Sequence, residues 1–196
     1  TGCDKNSEIT IYRHEEWFKV LIHELFHNFD LEFSTMNIDK HRESLFNKFG
    51  IKSEYNIYET YCEIWARILN TAINSFFITN DRVKFIAKFH LLFNKERIFS
   101  LKQASQILKK YKNLANYRED SNVWCYYIFT AALMNNLLDF FTWTGDSFIK
   151  FKKSESNINS FVELLIHLST SNDFYKDLAC VDKAIKDSAS LRMTIL

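Results

Sequence analysis

The chain has 196 residues, 47% of them hydrophobic, with 19 Phe and 9 Tyr but only 3 Gly and no Pro; that is enough apolar material for one packed core and too few turn residues for a hairpin-rich β fold. Its net charge of +1 excludes the global electrostatic footprint of a nucleic-acid-binding or anionic-membrane-binding protein and leaves only local basic patches. The four cysteines, Cys3, Cys62, Cys125 and Cys180, include no C-x-x-C pair, so neither a zinc knuckle nor a disulfide scaffold is indicated, and a reducing, intracellular compartment is expected rather than secretion.

Residues 7–13, SEITIYR, alternate and are rich in β-branched side chains, which predicts a short strand. From 14 to about 33 the residues Trp17, Val20, Leu21, Leu25, Phe26 and Phe29 recur at the period of an amphipathic core helix. Residues 34–40 are a polar break. The stretch 41–50, HRESLFNKFG, reads as a short helix stopped by Gly50 in a left-handed conformation. After a loop at 51–56 a long helix is expected from near Asn56 to about Phe77, with Ile57, Tyr61, Ile64, Trp65, Ile68 and Ile73 as its apolar stripe. Further helices are expected at about 81–95, 100–112, 121–141, 157–168 and 174–187, and Ser100 with Gln103 spells a capping box at the start of the second of these. Lys109, Lys110 and Lys112, in the most basic segment, read as a solvated helix face. The longest apolar run, 123–134, is too short to span a bilayer.

The fold expected is therefore mainly α: one domain over 1–196, with a short strand and two motif-bearing helices in 1–80 and a helical lobe in 81–196. The chain opens at Thr1 without a basic-then-apolar leader, and reads as a processed fragment or as the C-terminal part of a larger α+β protein.

Within the first helix the segment HELFH fits H-E-x-x-H. A four-residue step on a helix turns the chain by about 400°, so His23 and His27 lie one turn apart and about 40° around, and their imidazoles can converge on one zinc ion. Glu24 lies on the same side, where its carboxylate can take a proton from an activated water without binding the metal. Polar groups buried among Leu21, Ile22, Leu25 and Phe26 cost several kcal/mol unless something satisfies them.

A catalytic zinc needs a third protein ligand, and ETYCEIWAR offers Glu59 and Glu63 one helical turn apart. With Glu59 as ligand, Glu63 can accept the free ring N–H of a zinc-bound histidine and fix its tautomer. With Glu63 as ligand, the residue one turn on is Arg67, which accepts no hydrogen bond, so Glu59 is preferred. The competing structural account makes Asn56 and Glu59 a helix cap and leaves Glu63 on the surface.

This pattern resembles the zincin metallopeptidases, specifically the glutamate zincins, and ETYCEIWA looks like the second-helix motif of anthrax-lethal-factor-like peptidases. The resemblance covers residues 14 to about 67. It implies zinc held by His23, His27 and Glu59, Glu24 as general base, Glu63 supporting a ligand from behind, a small residue at Cys62, and hydrolysis of a peptide or protein substrate with no nucleic-acid or membrane partner. Two departures stand out. Zincins carry a multi-stranded sheet before this helix, so an upstream segment or partner chain is expected to complete the cleft. The family's oxyanion-stabilising tyrosine has Lys52 at its offset, and Tyr55 is the nearest substitute, ahead of Tyr58. An alternative implied by the same departures is a degenerate zincin acting as a structural or interaction protein, with or without zinc. Asp30, Asp39 and His41 are weaker ligand candidates, Glu16 is a candidate support one turn further from His23, and His14, His90 and His167 read as ordinary surface or partnered histidines. Cys3 invites, and does not support, a thiolate cap on the metal.

Overall fold

The computed structural model describes residues 5–79, 81–111, 121–145, 147–184 and 192–196. It is mainly helical. A single 3₁₀ turn (His14–Glu16) leads into α1 (Trp17–Asn28), followed by α2 (Asp39–Phe49), α3 (Ile57–Ile78), α4 (Arg82–Tyr111), a π-helical turn (Trp124–Phe129) that runs directly into α5 (Thr130–Asn135), then α6 (Leu137–Thr144), α7 (Glu155–Ser169) and α8 (Asn172–Ala184). Among the described residues no helix is long and apolar enough to cross a membrane.

The strand expected at 7–13 is absent, and no strand exists among the described residues. Those residues have no strand to pair with among the described residues. Their backbone is instead tied to the end of α1: Asn6 N donates to Asn28 O at 3.2 Å and Asn28 Nδ2 donates to Ser7 O at 2.7 Å.

The first helix stops at Asn28 rather than near residue 33. Asp30 takes a left-handed φ of 56°, Asp30 N donates to His27 O at 3.0 Å and Leu31 N to Phe26 O at 2.9 Å. That pair of bonds is a Schellman turn with aspartate in the place glycine usually fills. Gly50 does end α2 as expected, with φ 68° and its N–H on Phe46 O at 2.7 Å.

The expected break between two helices near residue 100 does not occur, because 95–100 contains no Gly or Pro and α4 passes through it. Ser100 is buried inside that helix, where its hydroxyl accepts a hydrogen bond from the Arg67 guanidinium and no capping box forms. The helix expected at 121–141 is instead divided at Asn136 (φ −128°, ψ 53°), whose side-chain amide bonds back to Ala132 O at 2.9 Å and competes with the helical ladder. Ser154 caps α7 by accepting from Asn157 N.

At the centre lies α3, buried on every side from Glu59 to Ile68 and packed against α1, α4, α5 and the π turn. Tyr61 and Trp65 anchor an aromatic cluster with Phe33, Phe140, Phe151 and Phe161, and one core runs through residues of both halves of the chain. The buried face of α1 is Lys19, Ile22, His23, Phe26 and His27, at i, i+3, i+4, i+7 and i+8. Trp17 and Phe29, members of the apolar stripe read from sequence, are 52% and 61% exposed. The helix is turned so that its charged and imidazole side chains face inward, a rotation that apolar periodicity cannot reveal.

Trp65→Ala should lower the unfolding free energy by about 3–5 kcal/mol, whereas Trp17→Ala should change it by no more than about 0.5 kcal/mol. Urea unfolding monitored by circular dichroism measures both, and equal losses would show that α1 faces the core as its apolar pattern suggests.

Candidate metal centre

Rotation of α1 places His23 and His27 against α3. His23 Nε2 lies 3.0 Å from Glu59 Oε2, His27 Nε2 lies 3.4 Å from the same oxygen, and the two Nε2 atoms are 3.3 Å apart. Three donor atoms, one from each residue, thus form a triangle and could hold a metal ion. Ligands at about 2.0–2.1 Å from a tetrahedral zinc are separated from each other by about 3.3–3.4 Å, so two edges of the triangle match one tetrahedral face and the third, His23 to Glu59, is shorter. All three residues are buried.

The opposite nitrogen of each histidine faces a carboxylate. His23 Nδ1 is 3.2 Å from Glu63 Oε2, outside the in-line direction of its N–H, and His27 Nδ1 is 3.4 Å from Glu32 Oε1. Glu32 is held in turn by the Ser34 backbone N–H and by the Ser34 hydroxyl, the latter at 2.6 Å. This carboxylate–histidine arrangement favours the tautomer that leaves Nε2 free as a ligand.

Glu63 is the charged hub behind the site. Lys19 Nζ donates to both of its oxygens, at 3.0 and 2.9 Å, and Arg67 Nε donates to Oε1 at 2.8 Å. Lys19, Glu63 and Arg67 are all essentially without solvent contact. A fourth element contributes Tyr126 from the π turn: its hydroxyl donates to Glu59 Oε2 at 2.8 Å and its ring lies 6.0 Å from that of His23.

Electrostatics follow from this geometry. Burial pushes the His23 pKa down, but the bonds and charges of Glu59 and Glu63 overcome it and the net movement is upward. For His27, burial is likewise overcome by contacts with Cys62, Glu32 and Glu59. Burial pushes Glu59 up, and the two histidines outweigh it to hold the carboxyl below its usual range. Glu63 is depressed against its own burial by Lys19, Arg67 and His23. Cys62 Sγ lies 4.0 Å from His27 Nδ1, and burial pushes its thiol pKa up, which keeps it from competing as a thiolate.

Among the residues singled out in sequence, His23, His27, Glu59 and Glu63 are brought together. Asn56 makes no side-chain cap, its amide oxygen being taken by Arg42, so the capping account of Glu59 does not describe the structure. Glu24 is half-buried beside His23 and makes no hydrogen bond or ion pair with another described residue. Tyr55 is buried with its ring 6.2 Å from Phe129; the hydroxyl that reaches Glu59 is Tyr126's. Asp30 pairs with Lys5 and Lys153, Asp39 with Arg42, and His41 bonds Asn159 at 2.8 Å. Glu16 accepts from Met193 N at 2.7 Å and so anchors segment 192–196. His14, His90 and His167 are exposed, and Cys3 lies outside the described residues.

Lys19, Glu32 and Tyr126 were missed. Lys19 had a signal, being one helical turn before His23 on the same stripe. Glu32 and Tyr126 had none, since each depends on a backbone irregularity. Comparison of the chain with protein-family models, with curated proteins and with solved structures returns no match, so the resemblance to zincins rests on the residues themselves.

Removing the hub charge should be costly: Glu63→Gln leaves Lys19 and Arg67 as buried, under-compensated cations, a loss of about 3–5 kcal/mol measurable by urea unfolding in the presence of a chelator. Because the Glu63 pKa is lowered in the fold, its contribution is present above the unfolded carboxylate range and is lost as pH falls through the folded value. The metal-free wild type should therefore lose stability steeply below about pH 4.3, and Glu63→Gln should flatten that slope. The raised histidines work in the opposite sense, stabilising the metal-free fold below about pH 6.5 and ceasing to as pH rises through their folded values. Zinc binding near neutral pH should accordingly release at least one proton. Calorimetry in buffers of different ionisation enthalpy reads this number, and zero release would mean that the histidines titrate normally.

Proposed function

We propose that the chain is a zinc-dependent peptidase in which His23, His27 and Glu59 hold the metal and Glu24 is the general base. The observation that carries this reading is the triangle of two Nε2 atoms and one carboxylate oxygen at 3.0–3.4 Å, each histidine backed by a second carboxylate. Zinc bound there would supply the Lewis acidity that makes water nucleophilic at neutral pH. The half-buried Glu24 carboxylate takes the proton from the attacking water as the new C–O bond forms, and returns it to the departing amine nitrogen as the C–N bond breaks. Glu32 keeps the His27 imidazole in the tautomer with Nε2 bare, and the Glu63 charge beside His23 Nδ1 favours the same tautomer there. The Tyr126 hydroxyl orients Glu59, a part distinct from the oxyanion stabilisation expected of Tyr55.

A second reading, a zinc-stabilised scaffold without turnover, is favoured by the burial of all three ligands, 2–6% exposed, and by the absence of a sheet among the described residues.

Elemental analysis and a peptide-library assay separate the two. A peptidase should carry about one zinc per chain in wild type and in Glu24→Gln, lose it in His27→Ala, and cleave only as wild type. Glu32→Gln should weaken zinc binding by about 10–100-fold. Zinc without cleavage would move the assignment to the scaffold, and zinc absent from every form would dismiss both.

A further inference from the structure

Tyr126 faces two ways. Its hydroxyl is on Glu59, and the residue also lines a cleft of about 480 Å³ walled by segment 10–13, the last turn of α4 and the start of the π turn. Its lining is mostly apolar or aromatic, including Val20, Ile107 and Val123 together with Tyr12, Tyr111 and Tyr127. A cavity of this size with aromatic walls suits a large apolar side chain and the backbone on either side of it.

The charged residues among the described lining of the cleft are of one sign. Arg13 and Lys110 line it, and no carboxylate stands among its described lining residues. Arg13 is shared, lying 3.5 Å from the buried Glu16. Lys110 is exposed, at the C-terminal end of α4, and has no ion-pair partner among the described residues. A low-dielectric wall carrying cations concentrates anionic groups at its mouth.

From this geometry we infer that the cleft binds the part of a peptide substrate that carries a large apolar side chain adjoining a carboxylate, and that Lys110 and Arg13 select the carboxylate. The inference rests on the peptidase reading for the cutting step, but the binding step stands on the cleft alone. The carboxylate can be an internal Glu or Asp side chain or the peptide's own C-terminus; both offer the same charge.

The test uses the Glu24→Gln chain as purified, which removes turnover, and fluorescence anisotropy with labelled hexapeptides. Three peptides carry Leu-Glu, Leu-Gln or Leu-Lys at their centre and are amidated; a fourth carries Leu-Gln with a free C-terminal carboxylate. The Leu-Glu peptide is expected to bind about two- to fivefold more tightly than Leu-Gln, with Leu-Lys weakest. If the free-terminus peptide shows that advantage instead, the terminus is the group selected. Lys110→Glu should abolish or invert the order, and Val123→Trp, which fills part of the cleft, should weaken all four peptides while zinc content and the helical circular dichroism stay at the parent's values. Equal affinity for all four peptides, or no binding, overturns the inference even if wild type cleaves. A carboxylate preference that Lys110→Glu removes, in a chain whose wild type cuts nothing, upholds the cleft and discards the peptidase.

Discussion

Glu63 has no contact with solvent and faces Lys19, Arg67 and His23 at 2.8–3.2 Å, and the relation between α1 and α3 depends on it. A buried ion cluster of this kind is poor evidence for stability, since the desolvation of each charge cancels much of the attraction. Its effect is positional. A lysine that must reach a carboxylate on α3 sets the rotation of α1 about its own axis, and that rotation turns His23 and His27 inward and leaves Trp17 and Phe29 in solvent. An apolar replacement of the cluster could pack as well, but it would give α1 no reason to prefer its polar face.

Two departures from regular backbone bring in the remaining groups. The left-handed residue Asp30 folds the chain back over the end of α1, so that Glu32 returns to the imidazole of His27 five residues earlier. The π turn at Trp124–Phe129 adds a residue to the helical repeat, as such turns do at many functional sites, and swings Tyr126 toward Glu59 across 67 residues of sequence. Both irregularities are local, and both end on the same few atoms.

These differences in origin account for what could be read in advance. Positions four apart on a helix share a face whatever the tertiary structure, so His23 with His27 and Glu59 with Glu63 were legible as pairs. Long apolar repeats likewise made the α3 stripe and the helical class legible. The inward face of α1 was not, because six apolar residues outweighed one lysine in any count of periodicity, and the energetics of a charged hub are invisible until its partners are known. Ser100 shows the converse error: S-x-x-Q is a fair cap signal, yet a hydroxyl also satisfies a buried guanidinium, and α4 contains nothing that would stop it there. Tyr55 precedes α3 in sequence and was closest to the expected offset, whereas the tyrosine on Glu59 comes from an apolar run that carried no chemical signal.

With Glu32, Glu59 and Glu63 counted as carboxylates and Lys19 and Arg67 as the cations facing Glu63, the buried cluster with neutral histidines carries one net negative charge. Low dielectric makes that excess expensive. A single proton shared by the imidazoles removes it, which is the sense in which both histidine pKa values move. A divalent metal in the Nε2–Nε2–Oε2 triangle would overshoot to one net positive charge, and the half-buried Glu24, next to His23 in sequence, has no partner of its own among the described residues. If the carboxylate that the peptidase reading needs as a base faces the loaded site, it would offset that charge, and a proton taken up by Glu24 would leave the centre positive at the stage when negative charge develops on a substrate carbonyl oxygen.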